Sequence, residues 1–273
     1  MRTAAVAGYF YPAEREKLEK MIDGFLKKAN GVHEPVNAVG GICPHAGYIY
    51  SGETAAITYS SIANLKDAET VVILGPNHTG EGSLISISLQ DWETPLGVAR
   101  CDMGLAKDIQ KNCPLADFDE RAHLHEHSIE VQIPFIQRIN PNARIVCVCM
   151  MTQDYESAAQ IGKALAKALD PKKHIVVASS DFSHYLQDEI ARKKDTAALS
   201  YIEALDSAGF QDALRKYGWS VCGYGPISAL AEYAKAKGIK KGKTIRYTNS
   251  GKAGGDYLAV VGYASVIFPQ VKK

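Results

Sequence analysis

Short apolar runs of four to six residues recur along the chain and alternate with stretches whose apolar positions repeat every three to four residues. The runs predict strands at Val39 to Cys43, Thr70 to Leu74, Leu84 to Leu89, Arg144 to Met150, His174 to Ser179, Thr244 to Asn249 and Tyr257 to Phe268. The helical periods predict helices at Ala13 to Ala29, Gly52 to Ile62, Met103 to Lys111, Ser128 to Ile139, Tyr155 to Leu169, Asp188 to Leu205, Gly209 to Lys216 and Pro226 to Lys237. Strands that are apolar at every position need cover on both faces. The alternation therefore implies an α/β sandwich: a central mixed sheet, parallel in its first part, with helices on both sides. No linker, composition shift or repeat divides the chain, so a single domain spanning residues 1–273 is expected. The Gly-rich "SGKAGGD" between the last two strands predicts an edge hairpin, and a strand rather than a helix follows it, which argues against a phosphate loop.

Composition narrows the function classes. With 273 residues, 46% apolar, 22% charged and a net charge of +1, the chain has core enough for one domain and no basic stripe, so nucleic acid is not an expected partner. No apolar run approaches the ~20 residues of a membrane span, and the N-terminus meets charge by Glu14 without a cleavage site. The cysteines Cys43, Cys101, Cys113, Cys147, Cys149 and Cys222 show no framework spacing, which points to a reducing cytoplasm.

Three of the strands share a feature. "GGICPHAGYIYSG", "VVILGPNHTG" and "HIVVASSDFSH" each place an imidazole just past an apolar run: His45, His78 and His184, the last with Asp181. In open α/β sheets the carboxyl ends of strands gather ligand-binding groups, so three such positions predict one crevice. Cys222, in "SVCGYGPISAL", precedes a predicted helix that Pro226 would open, where amides and macrodipole should lower its thiol pKa. Cys147 and Cys149 read as strand residues. In "HLHEHSIE", alternating histidines could clasp a metal, but Ser128 reads as an N-cap with Glu130 in the first turn. His127 and Glu130 are therefore expected to cap and line the pocket, and His123 and His125 to face solvent.

"AGYFYP", "PHAGYIYSG", "ILGPNHTG", "TPLG", "EHSIEVQIPF", "SSDFSH" and "CGYGPI" occur in this order across nearly the whole chain, and together they resemble the Memo family. In archaea and bacteria that family is also called AmmeMemoRadiSam system protein B, from its association with AMMECR-type and radical SAM proteins, which the resemblance suggests as partners. The family is similar in fold to class III extradiol dioxygenases, which hold Fe(II) with two His and one Glu and use a further His as acid/base. By motif, the resemblance makes His45 and His78 metal ligands, puts Cys222 in the place of the carboxylate, and makes His184, beside Asp181, the acid/base.

A thiolate in place of a carboxylate widens the metal choice from Fe(II) toward copper or zinc, so ring cleavage does not transfer with the resemblance. Thr79 and Gly225 stand where the animal branch has histidines. Three activities share these residues: metal-dependent redox chemistry on a small molecule with iron or copper, non-catalytic binding of a peptide or partner in the same cleft, and hydrolysis by a Cys222, His184 and Asp181 trio.

Overall fold

The computed structural model describes residues 1–270. Eleven strands form: β1 (Ala38–Cys43), β2 (Thr70–Pro76), β3 (Ile85–Ile87), β4 (Trp92–Thr94), β5 (Gly97–Ala99), β6 (Ala116–Phe118), β7 (Arg144–Met150), β8 (His174–Ser179), β9 (His184–Leu186), β10 (Lys243–Asn249) and β11 (Val260–Pro269). Nine join one sheet in the order β10-β11-β1-β8-β2-β7-β3-β6, with β9 against β11, while β4 and β5 pair separately. The central four, β1, β8, β2 and β7, run parallel. β11 runs antiparallel to β1, and β10 to β11. The expected mixed α/β sandwich is therefore what forms.

Strand alternation divides the core. Val72, Leu74, Val146, Val148, Val176 and Ala178 face one side, against helices Met103–Lys111, Tyr155–Ala168, Asp188–Glu203 and Tyr224–Ala236. Val71, Ile73, Ile145, Cys147, Ile175 and Val177 face the other, against helices Arg15–Ala29, Tyr48–Ser61 and Ile133–Ile139. Each strand is apolar throughout because it has two dry faces.

Several boundaries differ from the pattern. The helix expected from Ser128 to Ile139 is two, His127–Glu130 and Ile133–Ile139, because Pro134 has no N–H for the Glu130 carbonyl and its ring crowds that oxygen. Glu126, not Ser128, caps the first of these, accepting from the Ser128 amide at 2.8 Å. β11 starts at Val260 rather than Tyr257, since Tyr257 and Leu258 stay in solvent. β10 and β11 do pair at the edge, but their connection holds a short helix, Gly251–Gly254, instead of a tight turn. Helix Tyr224–Ala236 begins before Pro226. No helix among the described residues is long and apolar enough to cross a membrane.

Candidate functional site

β1, β8 and β2 are neighbours and parallel, so their carboxyl ends open at one edge of the sheet. The chain beyond β1 delivers His45, beyond β8 Asp181 and His184, and beyond β2 His78. The last step needs Gly75, where a Cβ would lie 2.5 Å from Ser128 Oγ and 2.6 Å from Ile129 Cγ1. After it, Asn77 Oδ1 accepts the amides of Thr79 and Gly80 at 3.0 and 2.9 Å and turns the loop around His78. Cys222 arrives from the far side of the sequence. Gly223 permits this, since a Cβ there would stand 2.4 Å from the Ser179 carbonyl oxygen.

Hydrogen bonds fix the ring orientations. Ser179 Oγ donates to the Ser128 carbonyl at 2.6 Å and accepts from Gln132 Nε2 at 2.8 Å. His45 Nδ1, 2.9 Å from the same oxygen, must therefore carry a proton, which leaves the Nε2 lone pair aimed at Cys222 Sγ, 3.1 Å away. His78 repeats the arrangement. Its Nδ1 donates to Glu126 Oε1 at 2.9 Å and its backbone N–H to Oε2 at 2.6 Å, again freeing Nε2. In His184, Nδ1 donates to the Ser220 carbonyl at 2.9 Å, and the backbone N–H to Ser220 Oγ at 2.9 Å.

The electrostatics follow from burial. His45 is enclosed, and desolvation together with the nearby imidazoles of His127, His78 and His184 holds its pKa well below the usual value. Burial opposes ionisation of Glu126, but hydrogen bonding and charge from His78 and the Ser128 amide outweigh it and bring the carboxyl to about 2. Burial pushes Asp181 up to about 6, against amide donors from His45 and Ala46. Cys222 departs from expectation: burial and the Asp181 carboxylate push its thiol up, not down. The helix dipole is outweighed because the thiol sits among protein atoms, even though the Asp181 amide donates to the sulfur at 3.2 Å.

The structure brings His45, His78 and Cys222 together, with one ligand atom from each within 4.8 Å of the others. Donors around a four-coordinate ion lie roughly 3.3–3.7 Å apart, given bonds of about 2.0–2.3 Å. The 3.1 Å between His45 Nε2 and Cys222 Sγ is close to that spacing. Both imidazoles have the backing of a metal ligand, the far nitrogen tied to a hydroxyl or carboxylate. The residues therefore fit a metal. A second grouping, His78, Glu126 and His127, meets the same spacing, but Glu126 is already taken up by His78 and Ser128.

His127 stacks on His78 at 4.6 Å and packs against Phe10, with burial first among the causes that lower its pKa to about 4. It lines the crevice, as expected. Glu130, expected to line the pocket with it, does not: it is buried away from the crevice, where Oε2 pairs with Arg2 Nη1 at 2.5 Å and Oε1 accepts from Tyr11 at 2.5 Å. Arg2 also donates to the carbonyls of His123 and Glu126, so the N-terminus braces the segment that holds His78.

A further expectation fails. His123 is fully buried against Trp92, with neither ring nitrogen hydrogen-bonded; of the pair only His125 faces solvent. Asp181 engages the His45 amide at 2.8 Å, while Ser220 holds His184. Glu126, Ser179 and Ser220 were the residues that pattern alone missed. They lie within "EHSIEVQIPF", "SSDFSH" and "SVCGYGPISAL", beside residues that the pattern did single out.

Beside the crevice lies a cavity of about 380 Å³, lined by Ala46, Tyr50, Tyr185, Val261 and Tyr263 among others. Tyr185 holds a left-handed φ of 57°, rare for an aromatic residue and commonest at functional sites.

A MEMO1 family protein of Methanocaldococcus jannaschii is 42% identical to this chain over 282 residues, covering 98% of both. One from Methanosarcina barkeri is 43% identical over 270 residues, covering 98% of this chain and 99% of its own. One from Pyrobaculum arsenaticum is 41% identical over 277 residues, with the same coverage. Among solved structures, an uncharacterized protein of Escherichia coli K12 is a loose likeness, with a TM-score of 0.45 and 13% identity over 73% of this chain and 86% of that one. The model for the Memo-like protein family matches residues 2–267, and with these relatives it shows that the chain belongs to the Memo family.

Proposed function

We propose that the protein is a metal-dependent oxidoreductase acting on a small molecule, with iron or copper held by His45 Nε2, His78 Nε2 and Cys222 Sγ. One observation carries the reading: two imidazoles, each tied through Nδ1 to a fixed acceptor, stand beside one cysteine so that a ligand atom of each of the three lies within 4.8 Å of the others. A bound iron or copper would supply one-electron chemistry, and a single thiolate suits either. The protein's own groups then do the rest. His184, with Nδ1 tied to Ser220, presents Nε2 to give or take a proton at the crevice. Asp181 fixes the His45 backbone, and Tyr50, Tyr185 and Tyr263 give the neighbouring cavity aromatic walls against which a small substrate would pack.

The hydrolase reading loses support on geometry. The imidazole in contact with the sulfur is His45 rather than His184, and the thiol is pushed toward its protonated form.

The test is metal analysis of protein purified and loaded without oxygen, with X-ray absorption to identify sulfur in the coordination shell. About one equivalent of iron or copper is expected, with a sulfur ligand that disappears in Cys222→Ser. Equal binding in His45→Ala, His78→Ala and Cys222→Ser would refute the assignment.

A further inference from the structure

A second cavity, of about 310 Å³, lies on the other side of Tyr50, which lines both spaces. The segment around the short helix also borders both, Asn249 and Ala253 facing the second cavity, and Ser250 and Gly254 the first. Three cations reach this recess from three elements: Lys28 from helix Arg15–Ala29, Arg246 from β10 and Lys252 from helix Gly251–Gly254. All three pair with one carboxylate, Glu53, at 3.6, 3.2 and 3.6 Å. Among the described residues Glu53 is the only acid on the lining, so two positive charges are left without a counter-charge there. Thr54, Thr248 and Asn249 add polar edges.

A recess with surplus positive charge draws anions, and a guanidinium matches the paired oxygens of a carboxylate or phosphate. Glu53 stands where such an anion's charge would otherwise sit, holding the cations in place without neutralising them.

We propose that this recess binds the anionic end of the small molecule handled at the crevice, a carboxylate- or phosphate-bearing compound whose apolar body passes Tyr50 into the cavity beside His45 and His184. The second half of this statement rests on the function proposed above; anion binding in the recess does not. The charge count sets the sign of the main test. Removing Glu53's charge deprives the recess of its internal competitor, so Glu53→Gln tightens anion binding, whereas a purely structural Glu53 would leave it unchanged or weaken it.

Calorimetry on metal-free protein at fixed ionic strength provides the measurement, with methylphosphonate and succinate as separate probes for phosphate-like and carboxylate-like ends. At least one should bind saturably and one to one. Arg246→Gln and Lys252→Gln should each weaken it roughly tenfold, as expected for loss of a charged hydrogen-bond partner, and Glu53→Gln should strengthen it several-fold. A longer probe, 4-phenylbutylphosphonate, should bind roughly tenfold tighter than methylphosphonate, and Tyr185→Ala, outside the recess, should abolish that gain. Absence of saturable binding, or an affinity that does not rise in Glu53→Gln, would overturn the recess. Binding without the phenyl gain would overturn its link to the crevice. Anion binding that persists while metal analysis fails supports the recess and counts only against the metal.

Discussion

His123 offers a test of whether a neutral histidine is locked in the core. Its ring is fully buried with neither nitrogen hydrogen-bonded, and burial, with the Arg2 charge next, lowers its pKa from 6.5 to about 4. A depressed histidine pKa means that the unfolded chain takes up a proton at a pH where the folded chain does not. Between about pH 6.5 and 4 the unfolded state binds more protons, so stability rises with pH there and falls on acidification. The stabilising difference is complete above the unfolded value. From the two pKa values, His123 should remove about 2 kcal/mol of stability between pH 7.5 and pH 5, and roughly 3 kcal/mol by pH 4. Replacing it with Phe removes the titration. Any packing strain from the larger ring, of order 1–3 kcal/mol, is the same at every pH and drops out of the comparison. Urea unfolding of wild type and His123→Phe at several pH values measures this difference in slope. His45 and His127 are also depressed and contribute to both proteins, so only the difference isolates His123. Parallel pH profiles for the two proteins would refute the argument.

Glu130→Gln should lower stability by about 3–5 kcal/mol in denaturant unfolding, because a buried Arg2 charge is left unpaired and an amide would face donors from Ala5, Val6 or Tyr11; a loss under ~1 kcal/mol would mean the network is dispensable. Glu126→Gln should weaken metal binding by roughly 10–100-fold, read by competition with a chelator, since it holds His78 by both ring and backbone; unchanged affinity would show that His78 needs no such support. In metal-free protein, Cys222 should alkylate at least about tenfold more slowly than free cysteine near neutral pH, followed by mass spectrometry, because its thiol is held protonated; faster reaction would refute the role given to burial. Gly75→Ala should likewise reduce metal binding, measured by the same chelator competition, since its methyl would push Ser128 and Ile129 out of register with His78; full retention would mean the loop adapts freely.

What the chain states locally, it states well. β7 and β8 were legible to the residue, because a run such as that from Ile145 to Met150 is buried on both faces and shows it as unbroken apolar sequence. The nearness of His45 and His78 was legible too, since consecutive positions after parallel strands share one edge of the sheet. Elements shorter than a full apolar period were not: β4, β5, β6 and β9 are three residues each and carry no periodic signal. The state of each side chain was decided only in three dimensions. His123 and His125 look alike in "HLHEHSIE", yet one is enclosed against Trp92 and the other lies in solvent. Cys222 precedes a helix in either description, but desolvation, which depends on every neighbour at once, overrides the local dipole. The partners that fix the tautomers, Ser179 for His45, Glu126 for His78 and Ser220 for His184, lie 134, 48 and 36 residues away. Sequence names the groups that could act; which nitrogen keeps its lone pair depends on hydrogen bonds that only the packed sheet and its loops bring within reach.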